Sequence, residues 1–326
     1  MHKIIITGGT GFIGSHIVEY FREMGEDIRT VTRQDADLRN RDGILKVCAD
    51  ADCVIHNAAM ASDWGRYEDF YENNVTGTLN VLEACVKNRI NHVIVASSCS
   101  VYGEEDCSSV KDENSPHNSH YTYFLDKAFP CAMNYYRDTK RIAKEKAIEF
   151  SRENGLLLTL IEPVWVYGER EFHTGFYEYL KAARDGLPLC MGSKKNKFHV
   201  VYARDLARAY YLAYKKKVEG SFIIGNRQTA GMDEIFSLFC AEAGVRKPYN
   251  VPKLLMYPIG LAIEMLWTII RVKKPPFMTR GRVNIFYDSV EYGVLKAKDI
   301  LGFESEYTLE QGIKNTVNWY KEMGYL

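Results

Sequence analysis

Short apolar runs alternate with longer helical stretches through the first half of the chain. The runs Ile4–Thr7, Ile28–Thr32, Cys53–His56, His92–Ala96 and Leu156–Ile161 are brief and rich in β-branched residues, as strands covered on both faces should be. Between them apolar positions recur at helical spacing, for example over Ile13–Met24 and Tyr67–Lys87. Strands alternating with helices predict an α/β fold with a doubly wound parallel sheet. After Pro163 the rhythm loosens. Helices are expected near Phe176–Arg184, Arg204–Tyr214, Asp233–Ala243 and Leu309–Met323, and short strands near Phe198–Val201 and Phe222–Ile224. The chain therefore divides into 1–163 and 164–326. The second part is mainly a smaller, interleaved lobe that returns some segments to the sheet.

Two stretches stand outside this pattern. Asp106–Pro130, rich in Ser, Asn, His and Tyr, predicts a long loop, and long loops in compact folds are usually functional. Its aromatic residues Tyr121, Tyr123, Phe124 and Phe129 suit either a substrate lid or an oligomer contact. Leu254–Ile270 is strongly apolar, but Pro258 and Glu264 interrupt it and it is shorter than the roughly 20 residues of a membrane span. With Lys253, Arg271, Lys273 and Lys274 at its flanks it reads as a buried or substrate-facing helix, or else as a helix at a membrane surface.

Lysine plus arginine and aspartate plus glutamate number 42 each, so the chain as a whole offers no polybasic field to a nucleic acid. The eight cysteines are scattered without a C-x-x-C pair, which argues against a zinc or redox dithiol site and predicts a reducing compartment. No metal is expected. The N-terminus runs directly into an apolar strand with no signal-peptide pattern, so a cytoplasmic protein is expected, with surface association to a membrane left open.

Gly8-Gly9-Thr10-Gly11-Phe12-Ile13-Gly14 follows the first strand and opens the first helix. A pyrophosphate needs backbone N–H donors without intervening Cβ atoms, and this turn supplies them at the positive end of a helix. Residues 1–163 are therefore read as a dinucleotide-binding domain. Where an acidic residue at the end of the second strand would accept the ribose 2′-hydroxyl, Thr32 stands instead and Arg33 follows. Arginine can bind a 2′-phosphate bidentately, which favours NADP(H), while Asp35 nearby leaves NAD(H) open.

The Gly8-x-x-Gly11-x-x-Gly14 spacing resembles that of the extended short-chain dehydrogenase/reductases, the NAD-dependent epimerase/dehydratase superfamily. Asp37-Leu38, His56-Asn57-Ala58-Ala59 and Asn74-Val75-x-Gly77-Thr78-x-Asn80-Val81 match in order, and the likeness covers nearly the whole chain. It implies a Rossmann fold in which Asp37, Leu38, Asn57, Ala58, Ala59, Asn74, Pro163 and Val166 join the glycine turn around the nucleotide. The short Arg33–Leu38 connection, where many relatives insert a strand, is a departure.

Tyr136 and Lys140 stand at i and i+4, on one face of a helix. A hydride can leave or join an alcohol carbon only if a partner handles the hydroxyl proton, and a lysine ammonium one turn away would lower a tyrosine's pKa toward the working range. Tyr135 competes, but its spacing of five to Lys140 takes it off that face. By resemblance Ser98, in Ser97-Ser98-Cys99-Ser100-Val101-Tyr102-Gly103, is the third catalytic group, holding the substrate oxygen. Ser98 and Tyr136 are 38 positions apart, longer than usual for the family, and the excess falls in the 106–130 loop.

Ser62-Asp63-Trp64-Gly65-x-Tyr67-Glu68-Asp69-Phe70-Tyr71, Tyr202-Ala203-Arg204-Asp205-Leu206-Ala207, and Pro276-Phe277-Met278-Thr279 followed by Lys296-Ala297-x-x-x-Leu301-Gly302-Phe303 look most like the 3β-hydroxysteroid dehydrogenase branch. That implies interconversion of a secondary alcohol and a ketone on a lipophilic substrate, a sterol or a long-chain 3-oxo lipid. The alternative is a nucleotide-sugar epimerase or reductase. A dehydratase would carry Asp-Glu where Cys99-Ser100 stand, and the GDP-fucose type would need its cysteine at Ser100. A nonenzymatic nucleotide sensor is a minor alternative. Glu162-Pro163 replaces the usual Arg-Pro. The lipid reading expects the cleft beside Tyr136 to be walled by residues 254–270 or 106–130; Lys273, Lys274, Arg280 and Arg282 turned inward would instead favour phosphates. A homodimer is also open.

Overall fold

The computed structural model describes residues 3–105, 107, 109–173, 175–187, 189–190 and 192–326. Among these residues there are ten strands: β1 (Lys3–Thr7), β2 (Asp27–Val31), β3 (Cys53–His56), β4 (His92–Ala96), β5 (Leu157–Pro163), β6 (Trp165–Tyr167), β7 (Leu189–Cys190), β8 (Val200–Tyr202), β9 (Gly220–Ile224) and β10 (Tyr249–Asn250). The helices are α1 (Phe12–Glu23), α2 (Arg41–Val47), α3 (Tyr67–Tyr71), α4 (Gly77–Lys87), α5 (Ala132–Asn154), α6 (Phe176–Arg184), α7 (Ala203–Lys216), α8 (Met232–Ala243), α9 (Lys253–Ile269), α10 (Arg280–Tyr287) and α11 (Leu309–Glu322).

Six strands form one parallel sheet in the order β2-β1-β3-β4-β5-β9. The apolar runs of β1, β3, β4 and β5 have no exposed face because both sides are covered, whereas β2 at the edge alternates exposed and half-buried residues. Ile17 and Phe21 of α1 and Leu206 and Tyr210 of α7 pack on one side. Ile44 of α2, Val81 and Leu82 of α4 and Ala147 of α5 pack on the other. Chain order reverses direction across β1 and β3, so their carboxyl ends, Thr7 and His56, lie side by side at the point where such sheets bind ligands. The short 33–38 connection carries no strand, and β2 is the sheet edge.

The expected single helix over 67–87 is broken by a π-helical stretch at Glu72–Thr76 between α3 and α4. Periodicity alone could not show this, because one surplus residue in a turn leaves the apolar spacing on either side intact.

The second lobe has its own core. Phe176, Tyr179, Met232, Phe236, Phe239, Val283, Phe286 and Val317 gather there with Tyr123 and Met133. β9 leaves this half of the chain to pair with β5, while β6 and β8 pair with each other within it. In the 106–130 loop Asp106 and Ser108 lie outside the described residues. The rest is held by backbone bonds from Cys107 to Ser289 and from Lys111 to Glu291, and by Asn134, which bonds both backbone atoms of Tyr121.

Candidate active site

The glycine turn closes on itself. Gly8 has φ +69°, and a Cβ there would stand 2.7 Å from the Ala58 Cα; a Cβ on Gly14 would meet the Gly8 carbonyl oxygen at 2.0 Å. Only glycine fits either place. Gly11 caps α1 in extended conformation without a side-chain acceptor, so the first N–H groups of the helix face outward, and Thr10 and Gly11 are exposed beside them. This cradle fits a dinucleotide pyrophosphate.

A buried relay ties the turn to β3 and the helices behind it. The Ala58 N–H donates to Thr7 Oγ1 (3.3 Å), which lies 2.8 Å from His56 Nδ1, while His56 Nε2 lies 3.1 Å from Thr78 Oγ1. Thr78 donates onward to the Asn74 carbonyl at 2.6 Å. That order leaves His56 one role, Nε2 donating and Nδ1 accepting, and burial, aided by Lys140, holds its pKa down at about 3. Asn74 sits on the π stretch. Its side chain accepts from Met60 N (2.7 Å) and donates to Met60 O (3.2 Å) and Thr139 Oγ1 (3.1 Å), strapping the Asn57-Ala58-Ala59 segment to α5.

Arg33 is exposed just beyond β2. Asp35 is occupied locally, accepting from Thr32 N at 2.8 Å and Thr32 Oγ1 at 2.7 Å. Asp37 is gripped by Arg39 (2.6 Å), which with Arg33 holds its carboxyl well below the usual range. The Leu38 carbonyl accepts from Asn80 at 2.8 Å.

Ser98 follows β4 and caps the short 3-10 turn Cys99–Tyr102, its Oγ accepting from Ser100 N at 3.2 Å. It is also hydrogen-bonded to the Tyr136 phenol, which lowers that group's pKa, but burial outweighs this and pushes Tyr136 well above the ordinary value. The expectation that Lys140 pulls it down is corrected by where the ammonium goes: Lys140 Nζ donates to the Ala96 carbonyl at 2.6 Å. Sharing a helix face aligns the roots of two side chains, not their ends. Lys140 is itself buried, which lowers its pKa to about 8. Tyr135 turns away and packs on Tyr67 and Phe70 at 5.6 and 6.2 Å. The unusual Glu162 is fully buried, 2.8 Å from Lys144 Nζ and accepting from the Tyr102 hydroxyl at 2.7 Å.

A cleft of about 400 Å³ joins Ser98 and Tyr136 to the glycine turn through Phe12 and Ile13, and to β5 and β6 through Pro163 and Val166. Its walls are not those expected. Met133, Val164, Trp165 and Pro275 line it with Asp63, Glu104, His173, Glu178 and Arg282; no described residue of 254–270 or 106–130 does. The physical reason is that α9 turns Met256, Gly260 and Glu264 inward, half-buries Tyr257 and Ile263 against the second core, and leaves Leu254, Leu255, Ile259, Leu266 and Ile269 exposed. Arg280 is buried where α9 meets the loop, bonded to Glu264 (2.6 Å) and to the carbonyls of Phe124 and Phe129, and Lys273 and Lys274 are exposed. Arg282 is the single lysine or arginine among the described residues that line the cleft. It is held by Asp63 (2.5 Å) and Glu178 (3.1 Å).

Glu104, Asp63 and Glu178 were not singled out from the sequence. Glu104 follows the Ser98 stretch on a strongly turned chain, with Gly103 at φ +90°, and pairs with the fully buried Arg137 at 2.8 Å. Its adjacency to Ser97–Gly103 was the available signal. Asp63 stands in the Ser62–Tyr71 stretch, but only the fold brings it and Glu178 to Arg282, and Glu178 carries no signal.

Residues 4–225 match the family model described as the NAD dependent epimerase/dehydratase family. The chain is 25% identical to 2-alkyl-3-oxoalkanoate reductase from Stenotrophomonas maltophilia, covering 96% of this chain and 97% of that protein. It is also 25% identical to 3beta-hydroxysteroid-dehydrogenase/decarboxylase isoform 1 from Arabidopsis thaliana, over 98% of this chain and 80% of that one. Among solved structures, UDP-glucose 4-epimerase from Thermotoga maritima superposes with a TM-score of 0.77 at 22% identity, over 98% of this chain and 99% of that one, a likeness of fold. With the parallel sheet, the glycine cradle and a model match across most of its length, this chain belongs to the NAD dependent epimerase/dehydratase family and is an oxidoreductase of that family.

Proposed function

We propose that the protein interconverts a secondary alcohol and a ketone on a lipophilic substrate, a 3-oxo or 3-hydroxy lipid or steroid, using NADP(H). The nicotinamide, when bound, supplies or accepts the hydride. Gly8, Thr10, Gly11 and Gly14 would hold the pyrophosphate, Asp37, Leu38 and the Asn57–Ala59 segment the adenosine side, and Arg33 a 2′-phosphate. The Tyr136 hydroxyl moves the proton on the substrate oxygen, and Ser98 donates a hydrogen bond to that oxygen. Lys140, anchored on the Ala96 carbonyl, fixes α5 and with it the position of Tyr136.

One observation carries the substrate reading: the cleft holds three carboxylates and a single arginine already committed to two of them. A nucleotide sugar would bring a second pyrophosphate that needs unpaired cations, and none lines this cleft among the described residues. An apolar ketone needs only walls such as Met133, Val164 and Trp165, at about 25 cal/mol per Å² removed from water. The names of the two relatives, a 3-oxoalkanoate reductase and a 3beta-hydroxysteroid dehydrogenase, agree with it.

The test is a hydride-transfer assay with both nicotinamide cofactors against long-chain 3-oxo lipids, 3-oxosteroids and UDP-, GDP- and dTDP-sugars. Turnover confined to the lipid and steroid ketones is expected. Turnover or epimerisation of a nucleotide sugar in their place overturns the reading.

A further inference from the structure

Helix α9 has its polarity reversed for an element that serves only the core. Its inward face carries Met256, Gly260 and Glu264, one turn apart, and the Glu264 carboxylate accepts from Arg280 Nε at 2.6 Å. Its outward face carries Leu255, Ile259, Leu266 and Ile269 at 58, 47, 50 and 66% exposure, a stripe at helical spacing, with Leu254 at 84% and Ile270 at 56% beyond its ends. Beside the stripe lie Phe124 and Leu125, at 65 and 42% exposure, whose turn is fixed to α9 by a bond from Phe124 N to the Tyr257 hydroxyl at 3.3 Å. With Phe277, this one region holds nine of the 19 large apolar residues exposed among the described residues. A contiguous patch of that kind marks a surface that meets something apolar.

The charge around it says what. Arg271, Lys273 and Lys274 are exposed directly after the helix, Lys127 is exposed in the neighbouring loop, and no acidic residue occurs between Glu264 and Asp288. An apolar stripe bordered by the exposed cations Arg271, Lys273, Lys274 and Lys127, with Asp126 half-buried between Leu125 and Lys127, is complementary to a bilayer with anionic headgroups. A second copy docked on the same face by a two-fold axis would add further cations to one rim.

We propose that α9 and the Phe124–Leu125 turn seat this protein on an anionic phospholipid surface. No described helix is long and apolar enough to cross a membrane, so α9, 17 residues and about 25 Å long, lies along the interface. The chain then runs from Ile269 to the cleft wall at Pro275 within six residues, and the Val272 carbonyl is pinned on the way by Trp64 Nε1 at 2.9 Å. The bilayer-facing patch and the cleft are thus joined by a short, fixed strap. The docking is independent of which substrate the cleft takes.

The experiment is co-sedimentation of the full chain with phosphatidylcholine vesicles, with and without phosphatidylserine, at low and high salt. Wild-type protein should bind the mixed vesicles, less so in high salt, and pure phosphatidylcholine weakly. Ile259→Asp with Leu266→Asp should cut the bound fraction about tenfold or more, since two buried apolar contacts are replaced by charges. Its thermal midpoint and its hydride transfer on a short, water-soluble ketone should match wild type. Lys273→Glu with Lys274→Glu should lose only the phosphatidylserine-dependent part. Wild type that stays in solution, or either double variant binding the mixed vesicles as wild type does, overturns the proposal. So does sedimentation of wild type as a dimer that the aspartate pair converts to monomer, which would assign the face to a second copy.

Discussion

The Lys140 ammonium donates to the carbonyl oxygen of Ala96, the last residue of β4, at 2.6 Å. The lysine is therefore tied to the carboxyl end of β4, from which Ser98 projects two residues later, and α5 is held at one distance from that strand end. Tyr136→Phe keeps the ring and this scaffold and removes only the hydroxyl. It should lower kcat by about 10²–10⁴-fold with nucleotide affinity little changed. Turnover near wild type, measured by nicotinamide absorbance, would remove Tyr136 from the chemistry.

The proposed preference for NADP(H) rests on Arg33, exposed beyond β2 while Asp35 is engaged with Thr32. Charge-assisted hydrogen bonds to a 2′-phosphate are worth about 1.5–3 kcal/mol. Arg33→Ala should weaken NADPH binding roughly tenfold or more by titration calorimetry and leave NADH nearly unaffected. Wild-type protein that prefers NADH contradicts the assignment.

Gly14→Ala would place a methyl 2.0 Å from the Gly8 carbonyl oxygen, inside the turn itself. The turn must open, at a cost of about 1–3 kcal/mol in stability. Both the thermal midpoint and nucleotide binding should fall. An alanine variant that binds nucleotide normally would show that the cradle is looser than it looks.

Arg282 lies between Asp63 and Glu178, with side-chain exposures of 10 and 8% for Arg282 and Asp63. Arg282→Met leaves a nearly buried carboxylate without its partner and should cost about 3–5 kcal/mol, read from chemical unfolding. Adding Asp63→Asn should recover a good part of the loss. If the double variant is no more stable than the single one, the pair is not the source of the effect.

Four buried histidines have lowered pKa values, His199 among them, and the three with large shifts make stability sensitive to acid. Burial lowers His16 to about 4, His56 to about 3 and His92 to about 4, against an ordinary value of 6.5. As pH drops below 6.5 the unfolded chain takes up protons that the folded one refuses, so stability falls between 6.5 and the folded values. At pH 5 the loss is about 2 kcal/mol per histidine. Thermal midpoints at pH 7.5 and 5 check it, and a midpoint that holds or rises at pH 5 rules it out.

What could be read in advance divides by how local the cause is. The glycine cradle and the Tyr136–Lys140 spacing are contained in short segments whose geometry follows from a strand–turn–helix and a helical repeat. The cleft is not local: Asp63, Glu104, Glu178, Pro275 and Arg282 come from separate parts of the chain and only the tertiary fold assembles them. Helix α9 misled for a different reason. Apolar residues occur on nearly every side of it, so periodicity could not choose an inward face, and Glu264, read as an interruption, turns out to point into the protein.

The π-helical stretch at Glu72–Thr76 sets the rotational phase of everything after it. In an α-helix each residue advances the chain by about 100°, so winding Glu72–Thr76 as regular α-helix, with no residue removed, would swing the faces of α4 by about that angle. Asn74 would then miss Met60 and Thr139, and Val81 and Leu82 would leave the apolar layer they fill. The surplus residue is thus a phasing element. It lets one continuous helical rod present a polar strap to the nucleotide side at its start and an apolar ridge to the sheet at its end, two demands that a uniform helix of the same length would meet only one at a time.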